Sequence, residues 1–183
     1  MRHPVGHDDP RSNAAVVTCS DGVASGHRED GSGAAVAAVL DAAGFTVVRR
    51  EIVPDDRAAI ATLLREVVDA GGVGLVAITG GTGFGPRDVT PEATADVIDR
   101  GAPGLAEAMR AHGRASTPMA DLSRGVCGIR GRTLLVDLPG SPRGATESLA
   151  AIVGLLPHAI DLLAGDTREH PPGHGEHGRP APT

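Results

Sequence analysis

The stretch LVAITGGTGFGPRD, residues 75–88, joins a short apolar run to a glycine-rich turn. Leu75 to Thr79 contains apolar and β-branched residues, which predicts a buried strand. Three glycines follow within four positions, and glycine allows the backbone to adopt positive φ and turn its N–H groups inward. A buried strand that ends in such a turn is typical of an α/β sheet.

The same alternation of strand and helix signals extends along most of the chain. Apolar runs predict strands at residues 14–19, 45–53, 75–79 and 133–138. Periodic apolar residues and caps predict helices at residues 33–43, 60–68, 92–100, 104–111 and 145–164. Pro157 is expected to bend the last helix. The order predicts a single α/β domain, a three-layer αβα sandwich around a mostly parallel sheet.

Composition limits the domain count and the classes of partner. The chain has 183 residues, 40% of them hydrophobic, which suits one domain with a real core. We expect a flexible N-terminus at residues 1–13, the domain at residues 14–165, and a disordered Pro/His-rich tail at residues 166–183. The net charge of −6 argues against nucleic acid as a partner. No apolar run reaches membrane-spanning length, and two cysteines imply no disulfide framework, so we expect a cytoplasmic protein without a membrane partner.

The glycine-rich turn has the features of a phosphate-binding loop. Gly80, Gly81 and Gly83 can form a nest of backbone N–H groups, with hydroxyls from Thr79 and Thr82 as further donors. The alternative is a strand-to-helix turn that binds nothing, since short glycine motifs are common. Arg87 and Asp88 favour the functional interpretation, because arginine binds phosphate in a forked geometry and aspartate binds Mg²⁺.

Paired acids follow the second predicted strand, at the same edge of the sheet. Asp55 and Asp56 suit Mg²⁺ binding at a triphosphate. They equally suit an ordinary helix N-terminus, where an aspartate caps free backbone N–H groups. The two interpretations are compatible if one Asp caps and the other faces a ligand.

Other polar residues near predicted strand ends carry weaker signals. Ser20-Asp21, Asp30 to Gly33, and Gly140-Ser141 can bind anions, yet each also suits a cap or tight turn. Ser123-Arg124 supplies polar groups whose position alone favours a surface role. With two Phe and no Trp or Tyr, aromatic stacking on a base is almost excluded, so backbone N–H groups, small polar residues and Arg must recognise any ligand.

Several motifs in fixed order resemble those of the Mog/MoaB family, to which the gephyrin G domain belongs. They are VPDD, TGGTGFGPRDVTPEAT, LSRGVCGIRG, LPGSP and LPHAIDLL. The resemblance runs from about residue 14 to residue 163. It implies a homotrimeric three-layer α/β protein with molybdopterin adenylyltransferase activity. In that reaction the terminal phosphate of molybdopterin attacks the α-phosphorus of Mg·ATP and releases pyrophosphate.

The resemblance also implies roles for individual residues. Asp55 and Asp88 match the two family acids tied to catalysis and are the candidate Mg²⁺ ligands, while Thr79 to Gly83 matches the phosphate-binding loop. The matching pocket positions are Ser20, Asp21, Asp30, Ser32, Ser123, Arg124, Gly140 and Ser141. The chain has no room for a molybdate-insertion domain, so a separate protein is expected to perform that step. Two alternatives stay open: a binding module without efficient catalysis, and a pyrophosphatase that acts on a nucleotide derivative.

Overall fold

The computed structural model describes residues 9–165, over which six strands alternate with seven α-helices. The strands are β1 (Asn13–Cys19), β2 (Thr46–Val53), β3 (Leu75–Thr79), β4 (Arg100–Gly101), β5 (Cys127–Arg130) and β6 (Thr133–Leu138). The helices are α1 (Asp21–Ala24), α2 (Gly31–Ala42), α3 (Arg57–Asp69), α4 (Thr90–Ala95), α5 (Pro103–Gly113), α6 (Pro142–Ile152) and α7 (Leu156–Leu163). Short 3-10 helices form at Pro10–Ser12 and Pro118–Leu122.

The strands form one sheet in the order β2-β1-β3-β6-β5-β4. The first four are mutually parallel, whereas β5 runs antiparallel to β6 and β4 antiparallel to β5. The chain places β2 on one side of β1 and then crosses to place β3 on the other side. In sheets of this kind ligands bind beyond the carboxyl ends of the strands where the winding reverses, here β1 and β3.

Two apolar layers cover the sheet and confirm the expected αβα architecture. Alternating residues of β1 face opposite sides: Val16 packs in the layer of α2, α5, α6 and α7, and Val17 packs in the layer of α3 and α4. On α3 the predicted apolar stripe is buried except for Leu63, which is partly buried, and Ile60 and Leu64 are fully inaccessible. Burial of such side chains stabilises each by about 1.5–3 kcal/mol and holds the strand ends in fixed register.

The structure corrects several predicted boundaries. The last predicted helix is two helices, α6 and α7, which meet at 63°; Pro157 lies in the first turn of α7 and so begins a helix rather than bending one. The predicted helix at residues 92–100 ends at Ala95, and Arg100 belongs to a strand. Residues 10–12, predicted flexible, form a 3-10 helix. The predicted tail and residues 1–8 lie outside the described residues. No single helix within residues 9–165 is both long and apolar enough to span a membrane; only α6 and α7 together reach that length.

Candidate active site

The glycine loop, residues 80–83, follows β3 and packs against the ends of two neighbouring strands. Gly80 and Gly81 have φ of +102° and +61°, which glycine adopts without steric cost. A Cβ atom at Gly80 would lie 2.2 Å from the carbonyl oxygen of Cys19, the last residue of β1. The N–H of Gly80 donates to the carbonyl of Leu138 at the end of β6 (3.2 Å). Only glycine fits at position 80, and the loop lies at the carboxyl edge, as predicted.

Two cavities adjoin at this loop. The apolar cavity, of about 410 Å³, has walls of Met109, Met119 and Leu122. The polar cavity, of about 550 Å³, is lined by residues that include Ser20 and Ser32. The residues that line both are Gly81, Asp88 and Gly140. Any reaction between a molecule in one cavity and a molecule in the other would take place beside these three residues.

Most of the predicted site residues come together around the two cavities. Those that line the apolar cavity are Gly81, Thr82, Gly83, Asp88, Ser123, Gly140 and Ser141. Those that line the polar cavity are Ser20, Ser32, Asp55, Gly80, Gly81, Asp88 and Gly140. The predicted residues that line neither are Asp21, Asp30, Thr79, Arg87 and Arg124.

The two acids after β2 have separate roles. Asp56 is the N-cap of α3, and its Oδ1 accepts the N–H of Ala59 (2.8 Å). Asp55 instead lines the polar cavity; its Oδ2 accepts the N–H of Asp21 (2.9 Å), while its Oδ1 is buried and has no hydrogen-bond partner. Burial raises the pKa of Asp55, and the nearby carboxylates of Asp21 and Asp88 add to that rise. The cap interpretation is therefore confirmed for Asp56, and Mg²⁺ binding by Asp55 stays a prediction.

Asp88 organises the turn that carries it. Its Oδ2 accepts the N–H of Gly85 (2.7 Å), and its backbone N–H donates to the carbonyl of Gly85 (3.0 Å). The carboxylate lies so close to Gly83 that a Cβ there would be 2.9 Å from it. Asp88 is half-buried, lines both cavities and is close enough to raise the pKa of Asp55. It is the acid best placed to act on a molecule in either cavity.

The described part of the chain offers two carboxylates at the site rather than a closed metal cage. Within residues 9–165, no group of three or more His, Cys, Asp or Glu side chains is placed to hold a metal ion. Asp55, Asp88 and Glu29 line the polar cavity, and of these Asp88 also lines the apolar cavity. Two carboxylates are enough where a substrate's phosphates complete the coordination of Mg²⁺.

Arg87 lies outside both cavities and pairs with Asp21, which differs from its predicted contact with phosphate. Its Nε and Nη2 donate to the two carboxylate oxygens of Asp21 at 2.9–3.1 Å. Such forked pairing is the strongest geometry that an exposed Arg–Asp pair can adopt. Because Asp21 also bonds to Asp55, Arg87 fixes the loop after β1 against the carboxyl edge of the sheet.

Arg124 supports the glycine loop from behind. Its Nε donates to the carbonyl of Gly83 (2.7 Å), its backbone N–H donates to the carbonyl of Thr82 (2.9 Å), and Nη2 donates to the carbonyl of Asp88. Its guanidinium also forms an ion pair with Glu92 on α4, which lowers the pKa of that carboxyl. These partners occupy the guanidinium, so Arg124 shapes the loop and does not face either cavity.

Thr79 and Asp30 also have structural partners in place of the predicted ligand contacts. The buried Thr79 hydroxyl donates to the carbonyl of Pro139 (2.7 Å). Asp30 caps α2, accepts the hydroxyl of Thr18 (2.9 Å) and pairs with Arg50 (2.8 Å). Both residues hold the loops that surround the polar cavity.

Arg110 and Asp137 are among the cavity residues that the sequence analysis missed. Arg110 of α5 lines the apolar cavity and donates to the carbonyl of Gly125 (3.2 Å). Asp137 of β6 is fully buried, accepts the hydroxyl of Thr94 (2.8 Å) and the N–H of Val126 (3.1 Å), and lines the same cavity. An acid inside the apolar run TLLVDL was the available signal for Asp137, because a buried carboxyl needs specific partners.

Comparison with known proteins places this geometry in a family. Residues 15–158 match the family described as "Probable molybdopterin binding domain". The molybdenum cofactor synthesis protein cinnamon of Drosophila melanogaster is 39% identical over 82% of this chain, which spans only 25% of that protein. The molybdopterin adenylyltransferase of Helicobacter pylori is 39% identical over 82% of this chain and 87% of its own length.

A solved structure agrees in fold as well as in sequence. The crystal structure of the molybdopterin biosynthesis enzyme MoaB from Thermus thermophilus is 49% identical, with a TM-score of 0.79 over 84% of this chain and 96% of its own. This likeness in sequence and fold confirms the resemblance that the motifs indicate. The chain therefore belongs to the family of molybdopterin-binding domains found in molybdenum cofactor biosynthesis proteins.

Proposed function

We propose that this chain is a molybdopterin adenylyltransferase that joins the AMP part of ATP to the terminal phosphate of molybdopterin and releases pyrophosphate. The observation that carries the proposal is the meeting of two cavities at Gly81, Asp88 and Gly140. A transfer between two bound molecules requires two pockets that share one reacting point. The likeness to the molybdopterin adenylyltransferase of Helicobacter pylori supports the same activity, since this chain covers 87% of that protein.

The residues at the shared edge suit the chemistry of that transfer. Nucleotidyl transfer depends on positioning and charge stabilisation more than on a covalent nucleophile. The loop at Gly80 and Gly81 supplies positive-φ backbone whose N–H groups can hold phosphate oxygens. Burial raises the pKa of the Cys19 thiol to about 12, which keeps it neutral and argues against a cysteine nucleophile.

ATP is the proposed nucleotide, and Mg²⁺ is proposed to enter with it. Asp55 Oδ1 is a buried carboxylate oxygen without a partner, and Asp88 lines the same polar cavity. Mg²⁺ commonly binds through one or two carboxylates together with substrate phosphates, so this donor set fits the ion. When bound, the ion would neutralise charge that develops on the phosphates.

The second candidate is a binding module that holds molybdopterin without efficient catalysis; the family description names binding alone. Measuring binding heat alone would not separate the two candidates, because both bind the pterin. Pyrophosphate release in the presence of ATP, Mg²⁺ and molybdopterin separates them. Release that depends on molybdopterin supports the enzyme, and stoichiometric binding without release supports the module.

The proposal includes a homotrimer in the cytoplasm, with a separate protein that inserts molybdate. Exposed apolar side chains on the edge strand β2, Val48 (52% exposed) and Ile52 (47% exposed), are consistent with self-association. Sedimentation equilibrium of the full chain tests the trimer, and a monomer at micromolar concentration would contradict it. Cell fractionation tests the location.

A further inference from the structure

Over residues 9–165, the polar cavity has one basic side chain on its wall, that of Arg28. Arg28 lies in the loop between α1 and α2 and is exposed. Its side chain runs beside Gly22, where an added Cβ would lie 3.5 Å from Arg28 Cδ and 3.5 Å from its Nε. The sequence pattern pointed to Arg87, rather than to Arg28, as the arginine that binds phosphate.

The guanidinium of Arg28 has no hydrogen-bond acceptor or ion-pair partner in the part of the chain that the structure describes. Arg87, by contrast, is bound to Asp21. The guanidinium groups of Arg100 and Arg132 also have no partner among the described residues, but neither residue lines the apolar or the polar cavity. An arginine that lines a polar cavity and pairs with no carboxylate is available to an anion.

A second group without a partner lines the same cavity at the N-terminus of α2. Ser32 lies in the first turn of that helix, is only 8% exposed and lines the polar cavity. Neither its hydroxyl nor its backbone N–H has a partner within residues 9–165, whereas Asp30 caps the N–H of Gly33. Free N–H groups and the positive end of the helix dipole attract phosphate to such a position. Arg28 and Ser32 therefore offer donors of two kinds to one anion.

The direction of the proposed transfer sends the leaving group into this cavity. The attacking and leaving oxygens of such a transfer lie roughly in line. A molybdopterin phosphate that attacks from the apolar cavity therefore expels pyrophosphate towards the polar cavity. The acids on that wall are Glu29, Asp55 and Asp88, so Arg28 is the side chain there that can oppose the negative charge of the leaving group.

We propose that Arg28 binds the β- and γ-phosphates of the nucleotide, the part that leaves as pyrophosphate, and that Ser32 donates to the same anion. The inference rests on the proposed function for the identity of the nucleotide. In the transfer, an oxygen of the molybdopterin phosphate bonds to the α-phosphorus. The bond from that phosphorus to the bridging oxygen of the β-phosphate breaks, and its electron pair passes to pyrophosphate. Arg28 stabilises the charge that pyrophosphate gains, and it touches the leaving group as a catalytic residue.

Titration calorimetry of the full chain without molybdopterin tests the assignment with three probes: Mg·ATP, Mg·pyrophosphate and AMP. We expect Arg28→Met to weaken the binding of Mg·ATP and Mg·pyrophosphate by about 10- to 100-fold, the loss of one hydrogen-bonded charge pair. The affinity for AMP should stay at the wild-type value, because AMP has no β- or γ-phosphate. Arg28→Lys keeps the charge without the forked geometry and should lose less affinity than Arg28→Met.

Arg132→Met is the matched control. It removes the same charge from another exposed arginine, which lies at the opposite edge of the sheet beside Thr133, the first residue of β6. It should leave the affinities for all three probes unchanged. Ser32→Ala removes a neutral donor and leaves the backbone N–H in place, so it should weaken Mg·pyrophosphate binding by less than Arg28→Met does.

The outcomes separate this inference from the function itself. Wild-type affinity of Arg28→Met for Mg·pyrophosphate would overturn the inference, as would an equal loss of affinity for AMP, which a general distortion of the loop would cause. Wild type that binds neither Mg·ATP nor Mg·pyrophosphate would overturn it as well. If wild type binds both through Arg28 but forms no adenylyl-molybdopterin, the proposed function fails and the phosphate site stands. If wild type transfers AMP while Arg28→Met binds both probes normally, the function stands and the inference fails.

Discussion

Asp21 and Asp55 each accept a hydrogen bond from the backbone N–H of the other. Asp21 N donates to Asp55 Oδ2 at 2.9 Å, and Asp55 N donates to Asp21 Oδ1 at 3.0 Å. The exchange joins the loops that follow β1 and β2, which lie 34 residues apart in the chain. Arg87 also donates hydrogen bonds to Asp21. The position of Asp55, a proposed catalytic acid, therefore depends on residues from three loops.

Removal of the Asp21 carboxylate should therefore disturb Asp55. We expect Asp21→Ala to lower kcat for adenylyl transfer by about tenfold, because the N–H of Asp55 loses its acceptor and Arg87 loses its partner. Steady-state assay of pyrophosphate release measures the change. Asp56→Ala is the control: it removes the cap of α3, costs about 1 kcal/mol of stability and should leave kcat unchanged. Equal kinetic effects of the two substitutions would contradict the assignment.

Arg124 should determine the order of the glycine loop. We expect Arg124→Met to lower the free energy of unfolding by about 1–2 kcal/mol. The loss is this small because the side chain is 33% exposed and solvent screens its charge. Urea denaturation measures the loss, and hydrogen exchange should accelerate at residues 82–88. Arg143→Met is the comparison, since that arginine is 81% exposed and forms an i,i+4 ion pair with Glu147 on its own helix. A loop that exchanges at the wild-type rate in Arg124→Met would show that the guanidinium does not support it.

Asp137 should make stability depend on pH. Burial raises its pKa from the ordinary value of 3.8 to about 7, so the folded chain binds a proton there that the unfolded chain releases. The stabilisation is complete below pH 3.8 and is lost as pH rises through about 7. Asp137→Asn removes this dependence. The free energy of unfolding of Asp137→Asn minus that of wild type should rise by about 1–3 kcal/mol as pH increases from 5 to 8. A stability difference that stays constant across that range would contradict the raised pKa.

Gly80 should tolerate no side chain. Its positive φ is shared with Gly44, but only at Gly80 does an added Cβ meet backbone, at 2.2 Å from the Cys19 carbonyl oxygen. We expect Gly44→Ala to cost about 1–2 kcal/mol, the strain of positive φ alone. Gly80→Ala should cost more, because β1 or the loop must move as well. Thermal unfolding of both variants measures the difference, and equal losses would show that the loop does not press against β1.

The sequence predicted the parts of the fold that local pattern controls. The strands β1, β3 and β6 are mostly apolar runs, and α3 has a clear apolar stripe. The strand β5 has four residues with a glycine among them, and β4 has two, so neither differs from a loop by pattern. The strand β5 exists because it pairs with β6, and β4 exists because it pairs with β5; both pairings are tertiary effects.

In the candidate site, too, some features follow from local sequence and others depend on tertiary contacts. The rule that ligands bind at strand ends located the glycine loop, Asp55 and Asp88 from the sequence. It could not reveal that Arg87 pairs with Asp21, 66 residues away, or that Arg124 supports carbonyls of the glycine loop. Those pairings depend on where separate loops meet in the folded chain. The catalytic roles of Asp55 and Asp88 stay predictions until activity is measured.

The most direct measurement of the central claim is pyrophosphate release coupled to formation of adenylyl-molybdopterin, with wild-type chain and Asp88→Asn compared under the same Mg²⁺ and ATP concentrations. The amide can still accept the N–H of Gly85, so the loop should keep its shape while the charge is lost. We expect wild type to form the two products in equal amounts and Asp88→Asn to be slower by about 100-fold or more. Wild type that binds molybdopterin without releasing pyrophosphate would contradict the account, as would Asp88→Asn that transfers AMP at the wild-type rate.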